Sequence, residues 1–155
     1  MYGQEESLRE HIVNEYRDDL ERLLRYLPFL EKKQGKDVQN YYEGDGTFKV
    51  IPVPVYDSTL LQFIKEAKKT KFVFRNYPYT YRRHRMATPE DERQAIEKCV
   101  LRDIDIIRGI MSKYILEGQT KSYMWTRGVE ERIFVTALDK MRRLFAEYDS
   151  QMAKK

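Results

Sequence analysis

Basic and aromatic side chains interleave in residues 71–86 of this 155-residue chain, which read KFVFRNYPYTYRRHRM. Lys and Arg neutralise the phosphates of nucleic acids, and aromatic rings stack on unpaired bases at about 1–3 kcal/mol each. If the stretch is extended, tyrosines at alternate positions face one side of it. The pattern predicts a surface for nucleic acid or another polyanion. The predicted nucleic-acid-binding residues are Lys68, Lys69, Lys71, Arg75, Tyr77, Tyr79, Tyr81, Arg82, Arg83 and Arg85.

The positive charge of the chain is concentrated in the same region. Within residues 65–85 eight basic residues stand against one acid, a net charge of +7. The rest of the chain, with 21 basic and 24 acidic residues, has a net charge of −3. This asymmetry favours an anionic partner. A plainer interpretation stays open, in which the tyrosines cover the core and the cations pair with acidic helices.

Candidate catalytic and metal-ligating residues are few. Neither His11 nor His84 has a second His or a Cys at the spacing of a metal site, and the arginines around His84 would repel a cation. Cys99 is predicted to be a buried structural thiol. The sequence has no Gly-x-Ser-x-Gly, Walker or Cys-x-x-Cys motif. We therefore predict no catalytic residue, cofactor or metal site, while an enzyme whose residues converge only in three dimensions stays an alternative.

Apolar residues at three- and four-residue spacing predict helices in the first half of the chain. A capping box at residues 7–10 predicts the start of the first helix, and Pro28 ends or kinks it. Asp57 or Ser58 caps a second helix that runs to about Lys69.

The second half of the chain is predicted to be almost wholly helical. Thr88, with a proline and two acids after it, predicts a long helix that ends near Glu117 and bends at Gly109. Residues 119–131 form a short helix in this prediction, and residues 134–150 form the last one. The last helix carries a stripe of apolar side chains at helical spacing.

A small β element is predicted between residues 38 and 74. Segments 38–42 and 47–51 have the character of two strands around a Gly-rich turn, and 72–74 that of a further short strand. Pro78 favours extended chain over helix around it, and residues 34–56 and 71–87 are predicted to be extended, loop or short strands. The predicted fold class is mainly α: one compact domain, residues 1–155, with about five helices and a small β-hairpin or arm.

Cysteine usage and hydropathy indicate the compartment. A chain with one cysteine forms no internal disulfide, which is typical of a reducing, cytoplasmic setting. No apolar run approaches the length of about 18 residues that a membrane span needs. The sequence therefore predicts a cytoplasmic protein without a membrane partner.

The C-terminal third, residues 103–144, predicts a helix that ends in Glu-Gly, a short aromatic-bearing helix and a Leu-rich closing helix. This arrangement resembles an uncharacterised bacterial domain family of unknown function. The chain departs from the family at Arg132, where the family has Gly, and in extra residues at 121–126. The resemblance implies a fold and offers no chemistry. The matching residues are Arg108, Ser112, Tyr114, Ile115, Glu117, Gly118, Ile133, Phe134, Leu138, Met141 and Leu144.

The sequence thus predicts a non-enzymatic protein that binds an anionic partner, nucleic acid first, through the stretch 65–85. The alternative is a protein-interaction module or a homodimer that packs through exposed aromatic rings. A DNA-reading helix-turn-helix at 119–148 is less favoured, because its second helix carries acids among its basic residues.

Overall fold

The computed structural model describes residues 2–33, 39–42, 53–121 and 123–154, and most of them are helical. A 3₁₀ turn, Leu101–Asp103, separates the fifth and sixth helices. None of the described helices is long and apolar enough to cross a membrane. The helices in these residues are α1 Tyr2–Leu24, α2 Leu27–Lys32, α3 Ser58–Lys68, α4 Tyr77–His84, α5 Pro89–Lys98, α6 Ile104–Glu117, α7 Tyr123–Glu130 and α8 Ile133–Ala153.

The predicted fold class was wrong, because eight helices lie in the described residues where about five were expected, and the predicted hairpin is not the one formed. In the described residues one short pair of strands accompanies the helices: β1, Gln39–Tyr42, runs antiparallel to β2, Val53–Tyr56. Residues 47–51, the predicted second strand, lie outside the described residues. Both strands of a two-stranded ladder are edges, which is why β2 tolerates a proline that cannot donate to the ladder.

Two helices form the centre of the packing. α8 contacts α1, α2, α5, α6 and α7, and α6 also contacts α3, α4 and α5. The stripe predicted for the last helix is confirmed, because it is buried along its whole length. Phe134, at the start of α8, packs edge-on against two other core rings. Its ring centre lies 5.2 Å from that of Phe63 and 6.1 Å from that of Tyr114. The buried stripe of α8 comprises Leu138, Met141, Leu144, Phe145 and Tyr148.

Helix α1 begins at Tyr2, several residues before the predicted capping box at residues 7–10. Ser7 is exposed within the helix and does not cap it. Glu5 lies in the first turn, where an acid is favourable, and it pairs with Arg102 of the 3₁₀ turn at 3.4 Å. The prediction was wrong because a local capping pattern does not reveal this packing of α1 against the 3₁₀ turn.

The long helix predicted from Thr88 to Glu117 is broken in two. α5 starts as predicted, with Thr88 and Asp91 forming a capping box, but it ends at Lys98. The Asp103 carboxylate then accepts the N–H of Val100 at 3.0 Å and supports the 3₁₀ turn. The apolar stripe continues across the break because both helices face the same core. The periodicity of apolar residues alone could therefore not locate the break.

Gly109 lies inside the continuous helix α6, and it allows a close approach of α4 to α6. A Cβ at this position would lie 2.8 Å from Cγ2 of Thr80, which is buried on α4. Any side chain at residue 109 would therefore push α4 and α6 apart. The glycine therefore fixes how deeply α4 sits.

Helix α4, Tyr77–His84, lies within the segment 71–87 that was predicted to be extended, loop or short strands, whereas the rest of that segment is turn and loop. Pro78 lies in its first turn, where the missing N–H has no helical partner to lose. The prediction was wrong because it used Pro78 as a helix breaker when it is a helix starter. Residues 72–74 form no strand either.

Candidate nucleic-acid interface

The outer face of α4 combines one aromatic ring with two cations. Tyr79, Arg82 and Arg83 are spaced by three and four residues, which places them on one side of the helix. Tyr79 is 51% exposed and both arginines are exposed. We call these three residues the α4 outer face. It holds a ring for stacking and two guanidinium groups for phosphates.

Arg85 ends α4 in a strained backbone conformation. Its φ is +53°, in the left-handed region that costs a side-chain-bearing residue about 1–2 kcal/mol. The next residue, Met86, holds this turn in place, because its side chain is buried and its N–H donates to the Tyr81 carbonyl at 3.1 Å. The turn leaves the Arg85 side chain exposed at the end of the helix.

Tyr81 lies on the opposite side of α4 from Tyr79 and faces the interior. Its hydroxyl donates to Glu92, and the Tyr114 hydroxyl donates to the same carboxylate at 2.6 Å. Glu92 is 1% exposed. Burial, and then the Glu92 carboxylate, raise the pKa of both phenols, so both stay protonated donors at neutral pH. The structure thus places Tyr81 as an anchor beneath α4, apart from the exposed Tyr79.

Sequence reasoning missed Glu92, although a signal for it was present. Glu92, Ile96 and Cys99 are spaced by four and three residues, so the acid lies on the same helical stripe as two buried apolar residues. A carboxylate on such a stripe must find hydrogen-bond donors, since burying it unpaired is costly. Tyrosines are suitable donors, and the sequence offers several nearby.

Replacing Tyr81 with Phe is expected to lower the free energy of unfolding by about 1–3 kcal/mol, because Glu92 then loses one of two donors while still buried. Tyr79→Phe removes the same hydroxyl from the exposed face of the same helix and should leave stability within about 0.5 kcal/mol. Urea unfolding of the two variants beside the parent measures the difference. Equal stability of the two variants would show that the Tyr81–Glu92 bond contributes nothing.

The segment before α4 is held to the body by its main chain. The Lys71 N–H donates to the Asp19 carboxylate at 2.9 Å, and the Lys71 carbonyl accepts from the Arg108 guanidinium at 2.7 Å. Phe72 is buried and stacks on Tyr16 at 5.2 Å. The Lys71 side chain stays exposed above these contacts.

Lys68, Arg75 and Tyr77 meet in a groove that the sequence did not reveal. It has a volume of about 570 Å³ and we call it the Arg75 groove. Tyr77 is half-buried there, and burial, followed by a hydrogen bond with Glu117, raises its pKa to about 12. Lys68 Nζ lies 6.0 Å from the centre of the Trp125 ring. The groove is lined by Lys68, Val73, Arg75, Tyr77, Leu116 and Gln119.

The predicted cations are exposed and have no carboxylate partner among the described residues. All seven are exposed. None of them forms an ion pair with an acid in the described part of the chain. Seven of the eleven arginines elsewhere in the described residues pair with a carboxylate; for example, Arg17 binds Asp149 at 2.6 Å and Arg93 binds Glu131 at 3.0 Å. The positive charge of this region is therefore left for the solvent or a partner to neutralise.

No family model, curated protein or solved structure matches the chain. The resemblance to the uncharacterised bacterial family therefore stays a prediction. Arg132, the residue at which the chain departs from that family, has a φ of +60°, the left-handed region in which glycine is favoured. A glycine in the family at this position would fit the turn that the structure shows.

His84 and Cys99, two of the other chemical candidates, both line a groove of about 370 Å³ beside α5. Cys99 is buried, and burial raises the pKa of its thiol to about 12, so it is protonated and unreactive at neutral pH. No group of three or more His, Cys, Asp or Glu in the described ranges could hold a metal ion. In the suggested helix-turn-helix, Arg142 and Arg143 both pair with Asp139, which compensates that face internally.

Proposed function

We propose that the protein binds nucleic acid through the exposed cations of residues 68–85. The observation that supports the proposal is a contrast in pairing. In the described residues, seven of the eleven arginines outside this stretch meet a carboxylate, whereas these seven cations meet none. Phosphates are the anions that such a surface neutralises with release of counterions. The free Cys99 thiol agrees with action in a reducing, cytoplasmic compartment.

The α4 outer face gives the proposed contact its geometry. Arg82 and Arg83 present planar guanidinium groups, which bind phosphate oxygens through paired hydrogen bonds. Tyr79 between them offers a ring on which a base can stack. Charge contacts of this kind position the nucleic acid and carry little sequence information. We therefore expect affinity that depends strongly on salt and weakly on sequence.

The test is a titration of labelled oligonucleotides of about 15 nucleotides, single-stranded and duplex, between about 50 mM and about 200 mM salt. If about four phosphates are engaged, log K falls with log salt at a slope near −3 to −4. A protein with both Arg142→Gln and Arg143→Gln is the matched control, because it loses two adjacent exposed arginines that are already paired. It should keep both the affinity and the slope.

Absence of binding to either oligonucleotide at the lower salt would end this proposal. Light scattering of the same samples would then decide for the protein-interaction alternative if it found a dimer. An affinity that does not change with salt would also contradict the proposal, since phosphate neutralisation requires counterion release.

A further inference from the structure

We infer that the Arg75 groove holds one unpaired nucleotide, so that the protein binds single-stranded nucleic acid more tightly than duplex. The inference rests on the proposed function and adds the form of nucleic acid that the protein selects. It is carried by the chemistry of the groove, which differs from that of the α4 outer face.

The groove offers each part of a nucleotide a matching surface. Val73 and Leu116 are half-buried and supply apolar contact, and the Tyr77 ring lies beside them. Bases pack on such apolar and aromatic surfaces in single-strand binding proteins. Lys68 and Arg75 are exposed in the same groove and reach a phosphate. Its sixth residue, Gln119, has an amide that both donates and accepts hydrogen bonds, as a base edge does.

The charge in the groove favours an anion. None of the six residues that line it is acidic. Grooves elsewhere on the described surface include carboxylates: Asp91 and Asp103 beside α5, and Glu5 and Glu147 between α1 and α8.

The acid that bonds Tyr77 does not cancel the charge of the groove. Glu117, which bonds Tyr77, also pairs with Lys121 at 3.3 Å. Tyr77, with its pKa of about 12, stays a neutral phenol and does not repel a phosphate.

A duplex cannot use the groove, because its bases are stacked and paired and expose no ring face. It can still meet the two arginines of the α4 outer face, which need phosphates alone. Arg75 and Tyr77 directly precede the rest of α4 along the chain. A single strand with one nucleotide in the groove can therefore continue along this helix, which is about 12 Å long.

The experiment uses the full chain, homopyrimidine single strands, duplexes of the same length and the variant Gln119→Glu. We expect the parent to bind the single strand about tenfold more tightly than the duplex, the contribution of one well-packed base. Gln119→Glu keeps the size of the side chain and places a carboxylate in the groove. It should lower single-strand affinity about tenfold and leave duplex affinity within about twofold.

The matched control is Gln62→Glu, the same change on an exposed residue of α3 that does not line the groove. It should leave the preference for single strands unchanged. Trp125 is the sole tryptophan of the chain and lies beside Lys68, so single strands should alter its fluorescence and duplexes should not.

Equal affinity of the parent for both forms would overturn the inference and leave the proposed function standing. So would a Gln119→Glu protein that loses single-strand and duplex affinity equally. A parent protein that binds neither single strands nor duplexes would instead refute the proposed function, so the two failures are distinguishable.

Discussion

Reversal of Arg82, Arg83 and Arg85 to Glu is expected to lower the affinity for nucleic acid by about 100-fold or more. Three exposed charge contacts at roughly 1 kcal/mol each correspond to that factor. Repulsion between the new carboxylates and the phosphates adds to it. The salt slope should flatten from near −3 or −4 to about −1, because about three phosphate contacts are lost. Fluorescence anisotropy at two salt concentrations measures both quantities.

Three new acids at the C-terminal end of α4 also oppose the helix dipole, so folding must be checked in the same sample. Circular dichroism and urea unfolding serve that purpose. The anchors below the helix, Tyr81 with Glu92 and Thr80 against Gly109, are untouched by the reversal, so the helix should persist. Unchanged binding by a folded triple variant would refute the proposed surface.

A second pair of variants separates charge from backbone strain. Arg85 and Arg132 are both exposed arginines with positive φ, at 53° and 60°. Replacement of either by Gly relieves the same strain and removes the same charge. Arg85→Gly should weaken nucleic-acid binding several-fold, whereas Arg132→Gly, outside the basic stretch, should not. Equal effects from both would mean that net charge alone controls affinity.

Gly118→Ala is expected to destabilise the protein by about 2–4 kcal/mol and to lower its melting temperature by about 5–15 °C. The backbone of Gly118 is ordinary, with φ of −63°, so conformational freedom is not the reason for the glycine. An added Cβ would overlap the Trp125 indole, which donates to the Ile115 carbonyl at 3.0 Å. Alanine must therefore displace a ring that α6 holds in place.

The control is Gly3→Ala, at a helical glycine with no atom within 4 Å of the added Cβ. It should stabilise the protein by up to about 1 kcal/mol, because alanine is the better helix former. Trp125→Phe places a smaller ring beside residue 118. In that background Gly118→Ala should lower the free energy of unfolding by less, and a double-mutant cycle measures this coupling. If Gly118→Ala changed the free energy of unfolding by the same amount as Gly3→Ala, the steric explanation would be contradicted.

The starts of α3 and α5 were predictable from sequence, because their caps bond residues close by in the chain. Asp57 accepts the Thr59 N–H at 2.7 Å and caps α3 as expected. Thr88 starts α5 through a capping box. In each case the donor and acceptor lie within a few residues of each other, so the pattern contains the whole interaction.

Features that depend on distant residues were not predictable. The break before α6 depends on how two helices share one core, and the depth of α4 depends on Thr80 meeting Gly109. The candidate site divides in the same way. Exposure of the cations followed from their charge, whereas the division of the three tyrosines among an anchor, a groove and an outer face required α4 to be a helix.

The seating of α4 bears on the thermodynamics of complex formation. A helix that is already folded and bonded from beneath loses little backbone entropy when a ligand arrives, so the unfavourable term is confined to a few arginine and lysine side chains. Preorganisation of this kind predicts association without a coupled folding step. Calorimetry should accordingly find a heat-capacity change far smaller than that of a segment that folds on its target.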